Sequence, residues 1–381
     1  MRLLILNYEY PPLGGGAGRC SQFQAEGLAR LGHEVTVITT WYRGEKEIEE
    51  RDQLKLIRLK SRRKKTFRSN PLEMFSWALK TLGYIRRTRL HLQTDLILAH
   101  FSIPGGFVAL PVKLLYKTPY YIISHGQDIP WFSPKELFFY HLVFYLPIRL
   151  ICSTASKVTV LSQQRLNELS RLTAKKHHPK HYIISNGCDI GFFTPPENEK
   201  EKDELRILFT GRLTRQKDPF TFLKAIQLLS DSDIPISIEI VGDGPLRSKM
   251  ESFVLRHQLS KQVRFSGWVS REELKEKYRS AHLLLITSVD EGQSLAMMEA
   301  ISSGLYLFTT PVSGSESLVH EKVNGEYIPF GDPQEIAYLL EAYYREKVSE
   351  HYKVPDRLLQ ELRESISWDN YIHAYDRIIQ T

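Results

Sequence analysis

Residues 287–304 read Thr-Ser-Val-Asp-Glu-Gly-Gln-Ser-Leu-Ala-Met-Met-Glu-Ala-Ile-Ser-Ser-Gly. The apolar run 282–286 before them reads as a buried strand, and the Ala- and Met-rich segment after Ser294 reads as a helix that Gly304 stops. A strand therefore empties through a loop into a helix N-terminus, with Ser294 placed to cap it. Amides at such a terminus lack partners inside the helix and carry partial positive charge, which suits an anionic ligand, above all a phosphate. Glu291 stays in the loop and Glu299 falls on the helix about a turn in. Carboxylates beside a phosphate site suit hydroxyls, since each accepts paired hydrogen bonds from a diol. The same two residues also read as a glutamate solvating a loop and another on a wet helix face.

Upstream, 205–210 is another buried strand, followed by Gly211-Arg212 and, in the same strand-to-helix loop, Lys217 and Pro219. A guanidinium and an ammonium there can clamp a diphosphate; an ordinary surface charge pair is the other reading. Strand 236–241 runs into Gly242-Asp243-Gly244-Pro245, either a pocket wall or a plain turn. Asp231-Ser232-Asp233 precedes a strand instead of ending one, and reads as a turn that terminates a helix. Downstream come a strand at 306–309, a Gly-containing loop at 313–316, and a helical terminal segment from Pro355. That segment spaces Trp368, Tyr371 and Tyr375 by three and four residues, an apolar stripe.

The first half repeats the alternation. Residues 2–7 form a short apolar strand, and 8–19 supply prolines, then Gly14, Gly15 and Gly16, before a helix at 17–31. Such a loop permits close backbone approach to a phosphate or sugar, and a tight turn explains it equally. Strands follow at 35–39, 54–59, 96–99 and 120–124, the last delivering His125-Gly126-Gln127-Asp128 at its C-terminal edge. A histidine there bonds a sugar hydroxyl or is a satisfied structural group. Between 61 and 89 a basic cluster (Arg62, Arg63, Lys64, Lys65, Arg68) adjoins a helix bearing Phe75 and Trp77. It reads either as an interfacial membrane contact centred on Trp77 or as a core-facing helix with a solvated flank. The apolar segment 135–151 shields the sheet or offers a greasy acceptor groove. His177, His178 and His181 lack metal-ligand spacing, and 195–204 reads as a solvated linker.

At 381 residues the chain exceeds one core, so two domains of about 190 residues are expected. With 42% hydrophobic and 25% charged residues it is composed like a soluble enzyme, which excludes a disordered or fibrous class. Cys20, Cys152 and Cys188 form no CxxC pair, arguing for a reducing compartment and against a disulfide framework or zinc site. The first ten residues are too short and polar for a signal peptide. The greasiest stretch, 137–152, contains His141, Pro147 and Arg149 and falls short of a bilayer span of about 20 apolar residues. Residues 1–190 carry 28 Lys+Arg against 14 Asp+Glu, and residues 191–381 carry 23 against 30. A basic half points to an anionic partner; RNA-binding strings are absent, so nucleic acid is not expected.

Taken in order, the strings resemble the retaining GT-B glycosyltransferases of family 4 (glycosyl transferases group 1). They are Pro11-Pro12-x-x-Gly15-Gly16, His125-Gly-x-Asp128, Asn186-Gly187-Cys188-Asp189, Gly211-Arg212 with Lys217, Gly242-Asp243-Gly244, and Glu291 and Glu299 separated by seven residues. The resemblance implies an α/β fold of two Rossmann-like parallel-sheet domains facing a central cleft. Residues 1–190 would be the acceptor side, 191–365 the nucleotide-sugar side, and 366–381 a helix returning to the first domain. It implies His125, Arg212, Lys217 and Glu291 as catalytic residues. Gly15, Gly16, Gly242, Gln293, Ser294, Leu295 and Glu299 join Arg212 and Lys217 in donor binding, with Glu299 on the ribose. No metal and no cofactor are expected, the nucleotide-sugar being a substrate. A UDP-sugar is favoured and GDP-mannose stays open; the acceptor is a glycan or lipid-linked glycan of envelope or surface polysaccharide, and an anionic membrane surface is a further partner. The expected location is cytoplasmic, with peripheral attachment to the inner membrane face. Two departures, Gly314-Ser315-Glu316 for the family's Gly-x-Pro-Glu and Gln293 for its aromatic, leave donor identity open. A GT-B-shaped epimerase or phosphorylase, or a non-catalytic glycan- or nucleic-acid-binding module, are the alternatives.

Overall fold

The computed structural model describes residues 1–63, 69–126, 128–130, 138–197 and 203–381; Lys64, Lys65, Arg68, Gln127, Lys135 and the middle of the linker lie outside them. It forms two compact units, Met1–Asn186 with Trp368–Thr381, and Gly187–Ser367. The sequence-based divisions at 190/191 and 365/366 lie a few residues away. Asn186 belongs to the first unit, where its Oδ1 accepts from Cys20 Sγ at 3.2 Å. Cys188 belongs to the second, its amide donating to the Ile366 carbonyl at 2.6 Å.

The first unit runs β1 (Arg2–Leu6), α1 (Gly16–Arg30), β2 (Glu34–Thr40), β3 (Ile48–Arg51), β4 (Leu54–Leu59), α2 (Pro71–Thr88), β5 (Leu96–His100), α3 (Phe107–Tyr116), β6 (Tyr120–Ile123), α4 (Phe138–Thr154), β7 (Lys157–Val160), α5 (Gln163–Leu172) and β8 (His181–Ile183). Its sheet has the order β3-β4-β2-β1-β5-β6-β7-β8, parallel except where β3 meets β4. Helices cover both faces, so β5, β6 and all of β1 after Arg2 are buried and read as apolar runs. Asn70 and Glu73 start α2 with a reciprocal capping box around Pro71. This helix decides between the two readings of Trp77 in favour of the core-facing one: the indole is fully buried, 6.4 Å from the Tyr8 ring. The large apolar side chains that α2 exposes are Leu72, Phe75 and Leu79.

The second unit runs β9 (Leu205–Thr210), α6 (Pro219–Ser230), β10 (Ile236–Val241), α7 (Arg247–Arg256), β11 (Val263–Gly267), α8 (Arg271–Ser280), β12 (Leu283–Ile286), α9 (Leu295–Ser302), β13 (Tyr306–Thr309), β14 (Gly325–Tyr327), α10 (Pro333–Tyr343) and α11 (Asp356–Ser365). Its sheet is parallel throughout, in the order β11-β10-β9-β12-β13-β14. Asp218 caps α6 with Pro219 at its first turn, and Asp231 ends that helix. The final helix, α12 (Trp368–Gln380), packs in the first unit. Its ring of Trp368 stacks on Phe23 at 4.5 Å and Tyr375 bonds Thr159 at 2.8 Å. Gly27 of α1 lets the two helices touch, since a Cβ there would lie 2.1 Å from Ile372 Cδ1.

In each sheet the strand order reverses once, between β1 and β5 and between β9 and β12. Ligands of open parallel sheets bind outside the carboxyl ends of the strands at such points. The motifs single out these strand ends. Among the described residues no helix is long and apolar enough to cross a membrane.

Candidate active site

At the reversal in the second sheet, the loops after β9 and β12 are joined. Thr287 Oγ1 donates to the Lys217 and Asp218 carbonyls (3.0 and 2.9 Å), and Gln216 Nε2 donates to the Asp290 carbonyl at 2.8 Å. Across this seam Lys217 Nζ meets Glu291 Oε1 at 2.5 Å, and Ser288 Oγ donates to the same oxygen at 2.7 Å. Glu291 is 6% exposed, so neither its charge nor that of Lys217 is dispersed in bulk water. Arg212 is exposed beside them and its side chain bonds no described residue. Gly242 closes the far wall with φ +125°, and a Cβ there would fall 2.0 Å from the Gly211 carbonyl oxygen. The loops after β9 and β10 pack backbone to backbone, which needs glycine.

Gln293 and Ser294 are buried at the entry to α9, which begins at Leu295. Ser294 holds the N-cap position, but its hydroxyl makes no capping bond, which corrects the expected side-chain cap. The Met297 and Met298 amides close instead on the Ser294 carbonyl at 3.2 and 3.4 Å. The Leu295 amide donates to no described residue and stays available to an anion. Glu299, half-buried on α9, accepts from Tyr278 OH at 3.0 Å, and that bond aims the carboxylate. Arg212, Lys217, Glu291, Gln293, Ser294, Leu295 and Glu299 thus share the carboxyl ends of two adjacent strands.

In the first unit, Gly15 is the exposed N-cap of α1 and Gly16 its first residue, with open space where a Gly15 Cβ would stand. Gly14 alone has the positive φ (+88°) of a tight turn. His125 follows β6. Its loop is held by Asp128, whose carboxylate accepts from the Ser124 hydroxyl (2.7 Å), the His125 amide (3.0 Å) and the Ser102 amide (2.8 Å). His125 Nε2 lies 2.9 Å from Nδ1 of His100, the buried last residue of β5. Burial pushes His125 down to about 4 and His100 well below the ordinary histidine value, so both rings are neutral at pH 7. Sequence reading missed His100; the signal was a polar residue ending an apolar strand at the ligand edge. His178 Nε2 bonds the Ser170 carbonyl, and no group of three metal-holding side chains occurs among the described residues.

Residues 14–192 match the family described as Glycosyltransferase Family 4, and residues 192–358 match Glycosyl transferases group 1. The chain belongs to the family 4 glycosyltransferases. An uncharacterized glycosyltransferase of Methanocaldococcus jannaschii is 26% identical over 97% of this chain and 95% of its own length. A putative teichuronic acid biosynthesis glycosyltransferase of Bacillus subtilis is 26% identical over 60% of this chain and 56% of its own. Among solved structures, sucrose-phosphate synthase of Thermosynechococcus elongatus superposes with a TM-score of 0.86 at 18% identity, covering 100% of this chain and 98% of that one. Anabaena HepE in complex with UDP-glucose does so with a TM-score of 0.78 at 17% identity, over 100% and 99%. The fold of this glycosyltransferase is GT-B.

Proposed function

We propose that this glycosyltransferase moves a sugar, with retention at the anomeric carbon, from a nucleotide-sugar to a glycan or lipid-linked acceptor in envelope or surface polysaccharide synthesis. A UDP-sugar is the favoured donor. The reading is carried by the Lys217–Glu291 contact of 2.5 Å at the strand-order reversal, beside an unengaged guanidinium. There a pyrophosphate takes Arg212 as a bidentate fork, shares Lys217 as a point charge and receives the amides around Leu295. Glu299 holds the ribose hydroxyls and Glu291 the transferred sugar, while His125, in the first unit, bonds a hydroxyl of a bound sugar. As the glycosidic bond breaks, negative charge grows on the leaving diphosphate, and each preorganised donor is worth roughly 2.7–4 kcal/mol. These groups carry that charge without a metal. The UDP-glucose bound by HepE and the teichuronic acid synthesis named for the Bacillus relative support the donor and pathway class. The test is transfer from UDP-sugars by Lys217→Ala and Glu299→Ala. Folded variants with undiminished transfer would overturn the assignment.

The first unit's partner is, on this reading, an anionic bilayer. Helix α3 packs against α2 and α4, and their outer faces expose Leu72, Phe75, Leu115, Phe139, Val143 and Leu146. The three helices carry one carboxylate, Glu73, which is buried, against exposed Lys80, Arg86, Arg87 and Arg149. Apolar burial with cationic attraction is the composition of an interfacial surface. Cosedimentation with phosphatidylglycerol vesicles should be lost in Val143→Glu/Leu146→Glu and weakened by salt. Equal binding by that variant would place the contact elsewhere.

A further inference from the structure

The His125–His100 contact continues inward. His100 Nε2 lies 2.9 Å from Gln24 Oε1 on α1, and Gln24 Nε2 lies 3.4 Å from Tyr371 OH on α12. Gln24 and His100 are wholly buried, and Tyr371 nearly so. An amide that gives its N–H to the phenol presents its carbonyl to His100, and a carbonyl oxygen only accepts. The proton of neutral His100 is therefore on Nε2, leaving a lone pair on Nδ1. The ring facing that lone pair must donate, so His125 carries its proton on Nε2 and its lone pair on Nδ1, which bonds no described residue.

We propose that His100 is a positioning residue: through Gln24 and Tyr371 it fixes the tautomer of His125, so that His125 offers Nδ1 as a hydrogen-bond acceptor to a hydroxyl of a bound sugar. This rests on the placement of His125 at that sugar, whereas the tautomer itself does not. A free imidazole exchanges its proton between two nitrogens and turns about its bond to Cβ. A buried chain whose far end is a packed helix removes both freedoms before substrate arrives. The preorganisation is of the kind a second layer of hydrogen bonds gives a ligating histidine. Around the pair stand Asp128, whose carboxylate accepts the His125 amide, and Phe101, whose ring lies 4.7 Å from that of His125.

The experiment reads the tautomer directly, by long-range proton–nitrogen correlation spectra of the full chain labelled in histidine, with His125 assigned by its absence in His125→Gln. Wild type should show His125 protonated on Nε2 from pH 5.5 to 8. His100→Phe, which keeps a ring but no acceptor, should give mixed tautomers and about a tenfold lower kcat for transfer, the worth of one neutral hydrogen bond. His100→Asn, whose carbonyl accepts from His125, should restore the single tautomer and most of the rate. If His100→Phe does not fold, Gln24→Leu breaks the chain one step further in and should mix the tautomers likewise. A wild-type His125 protonated on Nδ1, or a tautomer indifferent to His100→Phe and Gln24→Leu, overturns the proposal. Mixed tautomers with undiminished transfer would leave the chain standing but remove its service to the sugar, and with it the placement of His125.

Discussion

The Lys217–Glu291 pair shows why single residues matter here. On the proposed reading, a cation already fixed by a buried carboxylate would meet incoming phosphate without spending side-chain freedom at the moment of reaction. Lys217→Ala should lower kcat for sugar transfer by about 10²–10³-fold, and Arg212→Ala comparably, as for loss of one preorganised donor. Steady-state assays check both. EDTA in the same assays should leave wild-type rates unchanged, and restoration by added divalent ions would refute charge neutralisation by protein groups. The buried histidines make a second prediction. His100, His125 and His181 are all lowered by burial, the last two to about 4. In the unfolded chain they take up protons near 6.5, so below that pH the unfolded state binds more protons and folding loses free energy. Stability is complete above about 6.5 and falls towards about 4, at up to about 1.4 kcal/mol per pH unit for each ring. Urea midpoints across that range should drop for wild type and drop less for His100→Phe. Arg212, Lys217 and Glu291 stood out in the sequence as charges just after strands and Glu299 as one on the following helix, and the family resemblance alone gave them roles. The sequence did not display His100, whose meaning depends on a partner 25 residues away in the loop after another strand.

At the scale of elements, the legible ones were those buried along most of their length. Strands β1, β5, β6, β9 and β12 announce themselves as apolar runs because both sheet faces are covered. The Ile-Glu-Glu-Arg edge strand β3 has no such pattern; it forms by pairing with β4, and its charges face solvent and neighbouring cations. Helix α2 was left between two readings for a related reason. An indole beside basic residues has one composition whether it faces lipid or core, and only the sheet beneath decides. Trp77→Ala should therefore act as a core deletion, costing about 3–5 kcal/mol in chemical denaturation, with vesicle binding by the folded fraction retained. Loss of vesicle binding with stability intact would return Trp77 to the surface. The loop between β10 and α7 is constrained oppositely, by the absence of a side chain. Gly242→Ala forces both a contact with the Gly211 carbonyl and a strained backbone, and should raise the KM for donor, since the displaced segment carries Arg212.

Over the whole molecule, chain order and structural membership diverge at one place: the last helix, α12, belongs to the unit that begins the chain. Tyr371, Ile372 and Tyr375 bury themselves against the face of the first sheet that holds Leu3, Ile5 and Tyr121. The stripe at three- and four-residue spacing was visible in sequence; its destination came only from family resemblance, because periodicity names a buried face and not its partner. The consequence is measurable. If the nucleotide binds the second unit as proposed, UDP at about 100 times its dissociation constant stabilises that unit by about 2.7 kcal/mol. Calorimetry should resolve a UDP-responsive transition and an unresponsive one, since a chain with two cores need not unfold in one step. Removing residues 368–381 strips cover from the first core and also breaks the Gln24–Tyr371 end of the histidine chain. The truncated chain should lose or lower its unresponsive transition while keeping the UDP-dependent one. A truncation that abolished the UDP response instead would move nucleotide binding onto the first unit, and with it the roles assigned to Arg212, Lys217 and Glu299.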